Sequence, residues 1–310
     1  MTPRSARRTV IASVGLAAAM VLSGAGLASA GSGSTLPSWK ALRAQFDYKR
    51  THIRVVEHGV EHRDGAAIHD ITYSALGQDP VTAYLVTPDR PGRFAGAMFL
   101  HWLGEVNADR NEFLDEAVAL AGHGPGIVSL LPQEVFPFAY GPVGDVRDRD
   151  SIVKQVIQLR RGVDLLHQLP SVKDDRIGVV GHDYGGMYAS ILGAVDRDRL
   201  HSEVVMAADA TWVNWFITFF IDVPADQVPA YTAMLTPLDP VTYISRKPAG
   251  GSLLQYANDD FFIPNSLART MAHRAGARST FRTYDTDHEL AIPQVRADRD
   301  RFLVSSLTGA

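Results

Sequence analysis

Gly181-His182-Asp183-Tyr184-Gly185-Gly186 directly follows the apolar run Ile177-Gly178-Val179-Val180 and leads into a helical pattern over residues 187–195. A strand that becomes a helix through so short a turn crowds its own backbone, which glycine relieves. The middle side chain then projects from the carboxyl end of the strand, where open parallel sheets bind ligands. The turn has the form of a nucleophile elbow with Asp183 at its apex. A phosphate cradle is the competing reading, but neither G-x-G-x-x-G nor a Walker-type lysine is present. Downstream, Gln255-Tyr256-Ala257-Asn258-Asp259-Asp260 places acids at the end of the next-to-last expected strand, and Asp285-Thr286-Asp287-His288-Glu289 places a histidine just after the last. Nucleophile, acid, histidine is the order such an elbow requires.

Working outward, β-branched and apolar runs alternate with longer helical patterns, the signature of a largely parallel sheet joined by crossover helices. Strands are expected at 94–100, 126–131, 176–180, 203–207, 252–257 and 280–284. Helices are expected at 110–121, 150–168, 187–195, 265–275 and 292–307. Three strand-like runs at 53–60, 68–74 and 81–87 lie close together with turn residues between them, so they should be antiparallel and at one edge.

At the N-terminus, Arg4, Arg7 and Arg8 precede an apolar, acid-free stretch over 10–27, followed by Ala28-Ser29-Ala30. This reads as a secretory signal cleaved near Ala30, leaving no stable membrane anchor and a secreted, extracellular or periplasmic and cell-envelope protein. The Arg7-Arg8 pair also fits the twin-arginine export route. There is no Cys, so stability must come from burial rather than from disulfides. Loss of those three arginines with the signal would take the net charge from −4 to −7, a balance unsuited to nucleic acid or anionic lipid and compatible with a small-molecule substrate. The expected organisation is a signal over 1–30, a linker or extension over 31–50 and one domain over 51–310.

Taken together, these residues resemble the α/β-hydrolase superfamily, and more closely its dienelactone-hydrolase-like branch, over nearly all the mature chain. The resemblance implies an α/β fold with a mostly parallel central sheet, antiparallel N-terminal edge strands, helices on both faces and a short lid insertion, about 209–247, after strand 6 of the family's sheet. It rests on the elbow, on His101-Trp102-Leu103-Gly104 after the 94–100 strand, on Asp260 four residues before Pro264, and on His288. It implies an oxyanion hole formed by the backbone N–H groups of Trp102 and Tyr184, with no cofactor or metal.

Where esterases of this superfamily carry Ser and dienelactone hydrolases Cys, this chain has Asp183. A carboxylate is ionised at neutral pH and needs no base to attack. On an ordinary ester it would give a high-energy mixed anhydride; on a saturated carbon bearing a leaving group it gives a plain alkyl ester, which water activated by His288, oriented by Asp260, would cleave. The elbow resembles that of the epoxide hydrolases in particular. Epoxide opening needs an acidic hydroxyl, halide release converging N–H donors, and Tyr184 in place of Trp after the nucleophile favours the epoxide. A carboxylester or lactone hydrolase with Asp183 as a base, and an inactive binding protein of the same fold, are the alternatives.

The expected pocket and lid residues are His101, His182, Trp212, Trp215, Tyr231 and Tyr243. Asp209 is the runner-up for the triad acid, with Asp259 behind it, and Glu134 lies in a loop that either lines the pocket or is solvated. His58 and His62 have the spacing of helical metal ligands, but the surrounding pattern is strand-like and both read as exposed.

Overall fold

The computed structural model describes residues 36–75, 79–103, 108–133 and 141–309. The expected signal segment and Glu134 lie outside them. Helix α1 (Trp39–Ala44) comes first, with Ser38 capping its N-terminus. It lies in the stretch expected as a linker or extension, 31–50, where Leu42 and Phe46 are buried in the main core and the Arg160 guanidinium donates to the Phe46 carbonyl at 2.6 Å.

Three antiparallel strands follow, β1 (Ile53–Arg63), β2 (Ala66–Ala75) and β3 (Val81–Pro88), as their spacing predicts. Strand β4 (Phe94–Leu100) begins the parallel part, and α2 (Leu114–Gly122) leads to β5 (Ile127–Pro132). Helix α3 (Val146–Gln168) starts four residues earlier than its apolar pattern suggests, because the Asp145 side chain accepts from Arg147 N–H and caps it.

The chain continues through β6 (Val172–His182), α4 (Tyr184–Val195) and β7 (Ser202–Met206) into an insertion holding α5 (Trp212–Phe219), α6 (Val228–Leu235) and α7 (Pro240–Tyr243). Strand β8 (Ser252–Ala257), α8 (Asn265–Ala275), β9 (Ser279–Tyr284) and α9 (Pro293–Thr308) complete it. Counted along this chain the insertion follows the seventh strand. The nine strands form one sheet in the order β1-β2-β3-β5-β4-β6-β7-β8-β9, parallel from β5 onward.

Strand side chains alternate between two cores. Met98, Leu100, Leu130 and Val179 enter the one beneath α3 and α4, whereas Ala97, Phe99, Leu131 and Val180 enter the other with Phe113 of the α2 approach and Leu303 and Leu307 of α9. Both faces of the central strands are therefore covered, while β1 stays exposed over residues 54–62, and β6 lies between β4 and β7. Among the described residues, no helix is long and apolar enough to cross a membrane.

Candidate active site

Asp183 occupies the end of β6 at φ 54°, ψ −120°, a conformation that costs a non-glycine residue and persists only where its surroundings dictate it. They do. A side chain at Gly181 would put its Cβ 2.1 Å from the Gly185 carbonyl, and one at Gly185 would meet the carbonyls of Leu100 and His101 at 2.5 Å. The Asp183 N–H donates to the Met206 carbonyl of the neighbouring strand at 2.9 Å. The glycines let helix, strand and the loop after β4 close together, and the aspartate side chain is pushed out into a small cavity.

Two groups meet that carboxylate. Leu103 N–H donates to Oδ2 at 3.2 Å, and His288 Nε2 lies 3.5 Å from Oδ1. On its other side, His288 Nδ1 faces both oxygens of Asp260, at 2.8 and 2.9 Å. Asp260 is held by the N–H groups of Phe262 and Ile263, each 2.8 Å from Oδ1. Burial alone would lower the His288 pKa, but hydrogen bonds and charge from Asp183 and Asp260 outweigh it and raise the value to about 9. At neutral pH the ring is thus an imidazolium between two carboxylates.

Asp209 stands apart from this relay. Its oxygens accept from Thr211 N–H at 3.0 Å and the Asn214 amide at 2.6 Å, and burial, with a contribution from the Asp183 charge, pushes its carboxyl up to about 6. Asp259 is exposed. It is Asp260 that the histidine meets.

The expected oxyanion donor at Trp102 requires correction, because Trp102 N–H donates to Glu112 Oε2 at 2.6 Å and Leu103 supplies the N–H at Asp183. His101 is turned into the fold: its Nδ1–H donates to the Trp102 carbonyl at 3.0 Å, which orients the Trp102–Leu103 peptide. Burial lowers the His101 pKa, consistent with a neutral ring here. His182 is also behind the site, with Nδ1 2.7 Å from Glu112 Oε1 and Nε2–H donating to the His288 carbonyl at 2.9 Å. Glu112 was not singled out in the sequence; its only signal is a carboxylate ahead of a helix that starts later than the pattern suggests.

The cavity at Asp183 measures about 40 Å³ and is lined, among the described residues, by Leu103, Trp215, Phe219, Phe220, Phe262 and His288. Of the expected lid residues only Trp215 reaches it. The Trp212 indole N–H donates to the Leu238 carbonyl inside the core, Tyr231 donates to Asp148 Oδ2 at 2.6 Å, and Tyr243 donates to the Pro237 carbonyl. The Tyr184 ring is fully buried and stacks on Trp215. Amphipathic spacing turns these side chains inward, as for any helix packed on a sheet. His58 and His62 are exposed on β1, where His62 meets Asp89 at 3.0 Å and His58 meets Thr72. Among the described residues no three His, Asp or Glu side chains converge as a metal site.

No protein-family model matches the sequence, and no curated protein matches it. Solved structures do. An acetyl xylan esterase from Thermoanaerobacterium sp. superposes with a TM-score of 0.64 at 14% identity, over 86% of this chain and 92% of that one. An acetyl xylan esterase from Paenibacillus sp. R4 gives 0.64 at 19% identity over the same shares. A protein assigned as a dienelactone hydrolase from Klebsiella pneumoniae gives 0.56 at 15% identity, over 84% of this chain and all of that one. With the sheet order and the strained turn at the end of β6, these likenesses establish that the chain has the α/β-hydrolase fold.

Proposed function

We propose that the protein is a hydrolase that opens a small apolar electrophile, an epoxide, through an ester formed on Asp183. The observation that carries this reading is the division between the two oxygens of Asp183: Oδ2 rests on Leu103 N–H while Oδ1 faces His288 and the cavity. In a serine esterase the backbone donor awaits the substrate's carbonyl oxygen. Here it holds an oxygen of the nucleophile itself, the atom that becomes the oxyanion when water attacks an ester of Asp183.

The imidazolium completes the logic. Oδ1 attacks an epoxide carbon, the ring C–O bond breaks, and the alkoxide takes the Nε2 proton of His288. Asp183 is then a neutral ester, so His288 loses one of the two charges that hold its proton and becomes a base. It removes a proton from water as the water oxygen adds to Cγ of Asp183. Collapse breaks the bond from Cγ to the alkyl oxygen, which takes that proton back, and the Asp183 carboxyl returns its own proton to His288. One epoxide and one water give one diol. No tyrosine hydroxyl lines the cavity among the described residues, so the imidazolium serves as the acid. Trp215 is the single indole among the described lining residues, which weighs against halide release.

A second reading, carboxylester or lactone hydrolysis with Asp183 as the base, is favoured by the names of the structural neighbours. Ala28-Ser29-Ala30 after its Arg-led apolar stretch supports export for either activity.

The test is mass spectrometry of His288→Ala incubated with styrene oxide, 1-bromobutane and p-nitrophenyl acetate. Styrene oxide opens at its benzylic carbon with little need of an acid, so alkylation survives the substitution and the ester stalls. The protein should gain the mass of one styrene oxide on the peptide containing Asp183. Diol production by the wild type with no adduct on His288→Ala sinks the alkyl-enzyme mechanism, and ester turnover alone moves the assignment to the second reading.

A further inference from the structure

We infer that Glu112 is a positioning residue that governs the hydrolysis half of the reaction and, for an epoxide that opens without help from an acid, leaves the alkylation half untouched. This rests on the Asp183 ester mechanism above. Glu112 spends its two oxygens on two different parts of the site: Oε2 accepts Trp102 N–H at 2.6 Å, and Oε1 meets His182 Nδ1 at 2.7 Å. Each contact leads to a group needed when water attacks the ester. Through Trp102 the carboxylate fixes the loop whose next N–H, that of Leu103, points at Asp183 Oδ2. Through His182, whose Nε2–H donates to the His288 carbonyl, it fixes the backbone that carries the base. The His182 ring has little freedom to do otherwise, since it is buried and stacks on Trp102 with ring planes 7° apart.

For styrene oxide, which opens at its benzylic carbon with little need of the His288 proton, neither tie is needed for the first step. A backbone donor on Oδ2 withdraws electron density from the attacking carboxylate, so loosening it does not weaken Asp183 as a nucleophile. The same donor is required once negative charge appears on that oxygen during ester cleavage. Glu112 also faces away from the substrate: it lines a separate cleft of about 500 Å³ with Trp102, Glu289 and Pro293, and it is absent from the lining of the Asp183 cavity. Replacing it therefore changes the aim of the machinery and not the shape of the substrate site.

The experiment is rapid-quench mass spectrometry of full-length Glu112→Gln and Glu112→Ala with styrene oxide, alongside wild type and His288→Ala. Glutamine keeps the shape but offers one acceptor oxygen, so one of the two donors then faces an NH₂ group. Hydrolysis of the adduct should slow on the order of 10- to 100-fold, below the loss expected when an oxyanion donor is removed outright, with alkylation within about threefold of wild type. Adduct should accumulate, more in the alanine variant than in the glutamine one. If both half-reactions slow alike in both variants, or if adduct hydrolysis is unchanged, Glu112 does not have this role. Adduct on His288→Ala but none accumulating on Glu112→Gln overturns the Glu112 assignment alone. Absence of adduct on His288→Ala, with diol formed by wild type, overturns the ester mechanism and the Glu112 assignment with it.

Discussion

The elbow at the end of β6 and the insertion between β7 and β8 both carry conspicuous side chains, and the structure treats them in opposite ways. At the elbow, topology dictates direction: a parallel strand ending beneath the N-terminus of α4 has one way to turn, and Asp183 at positive φ has one way to point. In the insertion, direction is decided by helix packing. Trp212, Phe216, Leu235 and Tyr243 are swallowed by the core, and only Trp215, Phe219 and Phe220 emerge at the cavity. A residue type carries chemical meaning in the first region because the backbone presents it; in the second, an aromatic is first of all apolar surface to be buried.

The sharpest way to break this contrast is Asp183→Ala or Asp183→Asn. Both should lower turnover by about 10⁴-fold or more. Both should stay folded: the side chain faces a cavity, and losing its contact with His288 removes only part of what holds the imidazolium, since Asp260 keeps Nδ1. Activity of the alanine variant within a few-fold of wild type, measured as diol release, would end the covalent proposal. Next in size, Asp260→Asn should cost about 10³- to 10⁴-fold by leaving Nδ1 without its charged acceptor. Asp209→Asn should cost far less, since the Asp209 oxygens are committed to Thr211 and Asn214. The reverse ranking would move the triad acid to the end of β7.

The same relay predicts a pH dependence of stability. His288 keeps its proton to about pH 9 in the folded protein, against an ordinary value of 6.5. Its contribution, on the order of 3 kcal/mol, is fully present below pH 6.5 and is lost as pH rises through about 9. Urea unfolding across that window should show falling stability in the wild type and a flatter profile in His288→Ala. Equal slopes would mean that the imidazolium between Asp183 and Asp260 is not held as the geometry requires.

How much of this was legible beforehand follows from where each interaction is local. The strand pattern, the elbow and the order Asp183, Asp260, His288 are properties of short segments read at the ends of strands, and they lead to one place in the fold. The Leu103 donor was missed by one residue, because the sequence does not record that Glu112, ten positions on, takes the Trp102 N–H. Glu112 and His182 join a loop to the end of β6 across 70 residues of sequence, and no periodicity encodes such a pairing. Helix α1 was hidden for a simpler reason: six residues give too little apolar repeat to register, yet with Phe46 they bury two side chains in the core.

The smallest expected effect is the most direct test of the insertion's role. Tyr231 was expected at the pocket or lid, but its hydroxyl donates to Asp148 Oδ2 at 2.6 Å, linking α6 to the start of α3. Burial and the neighbouring carboxylate both raise its pKa far above the ordinary phenol value, so it has no tendency to ionise. Asp148 also accepts from the backbone N–H groups of Val143 and Gly144, each at 2.8 Å. Tyr231→Phe therefore removes one of three donors among the described residues and leaves the carboxylate satisfied, which puts the loss at the low end for a hydrogen bond to a charged group, about 1.5 kcal/mol. That loss should appear in denaturant unfolding with kcat and KM for styrene oxide unchanged. Trp215→Ala should raise KM by opening the cavity wall and, because the ring is buried against Tyr184, should cost stability as well. A drop in kcat for Tyr231→Phe comparable to that of Asp260→Asn would show that the α6 hydroxyl reaches the substrate during turnover, and the division between the presenting elbow and the packing insertion would have to be abandoned.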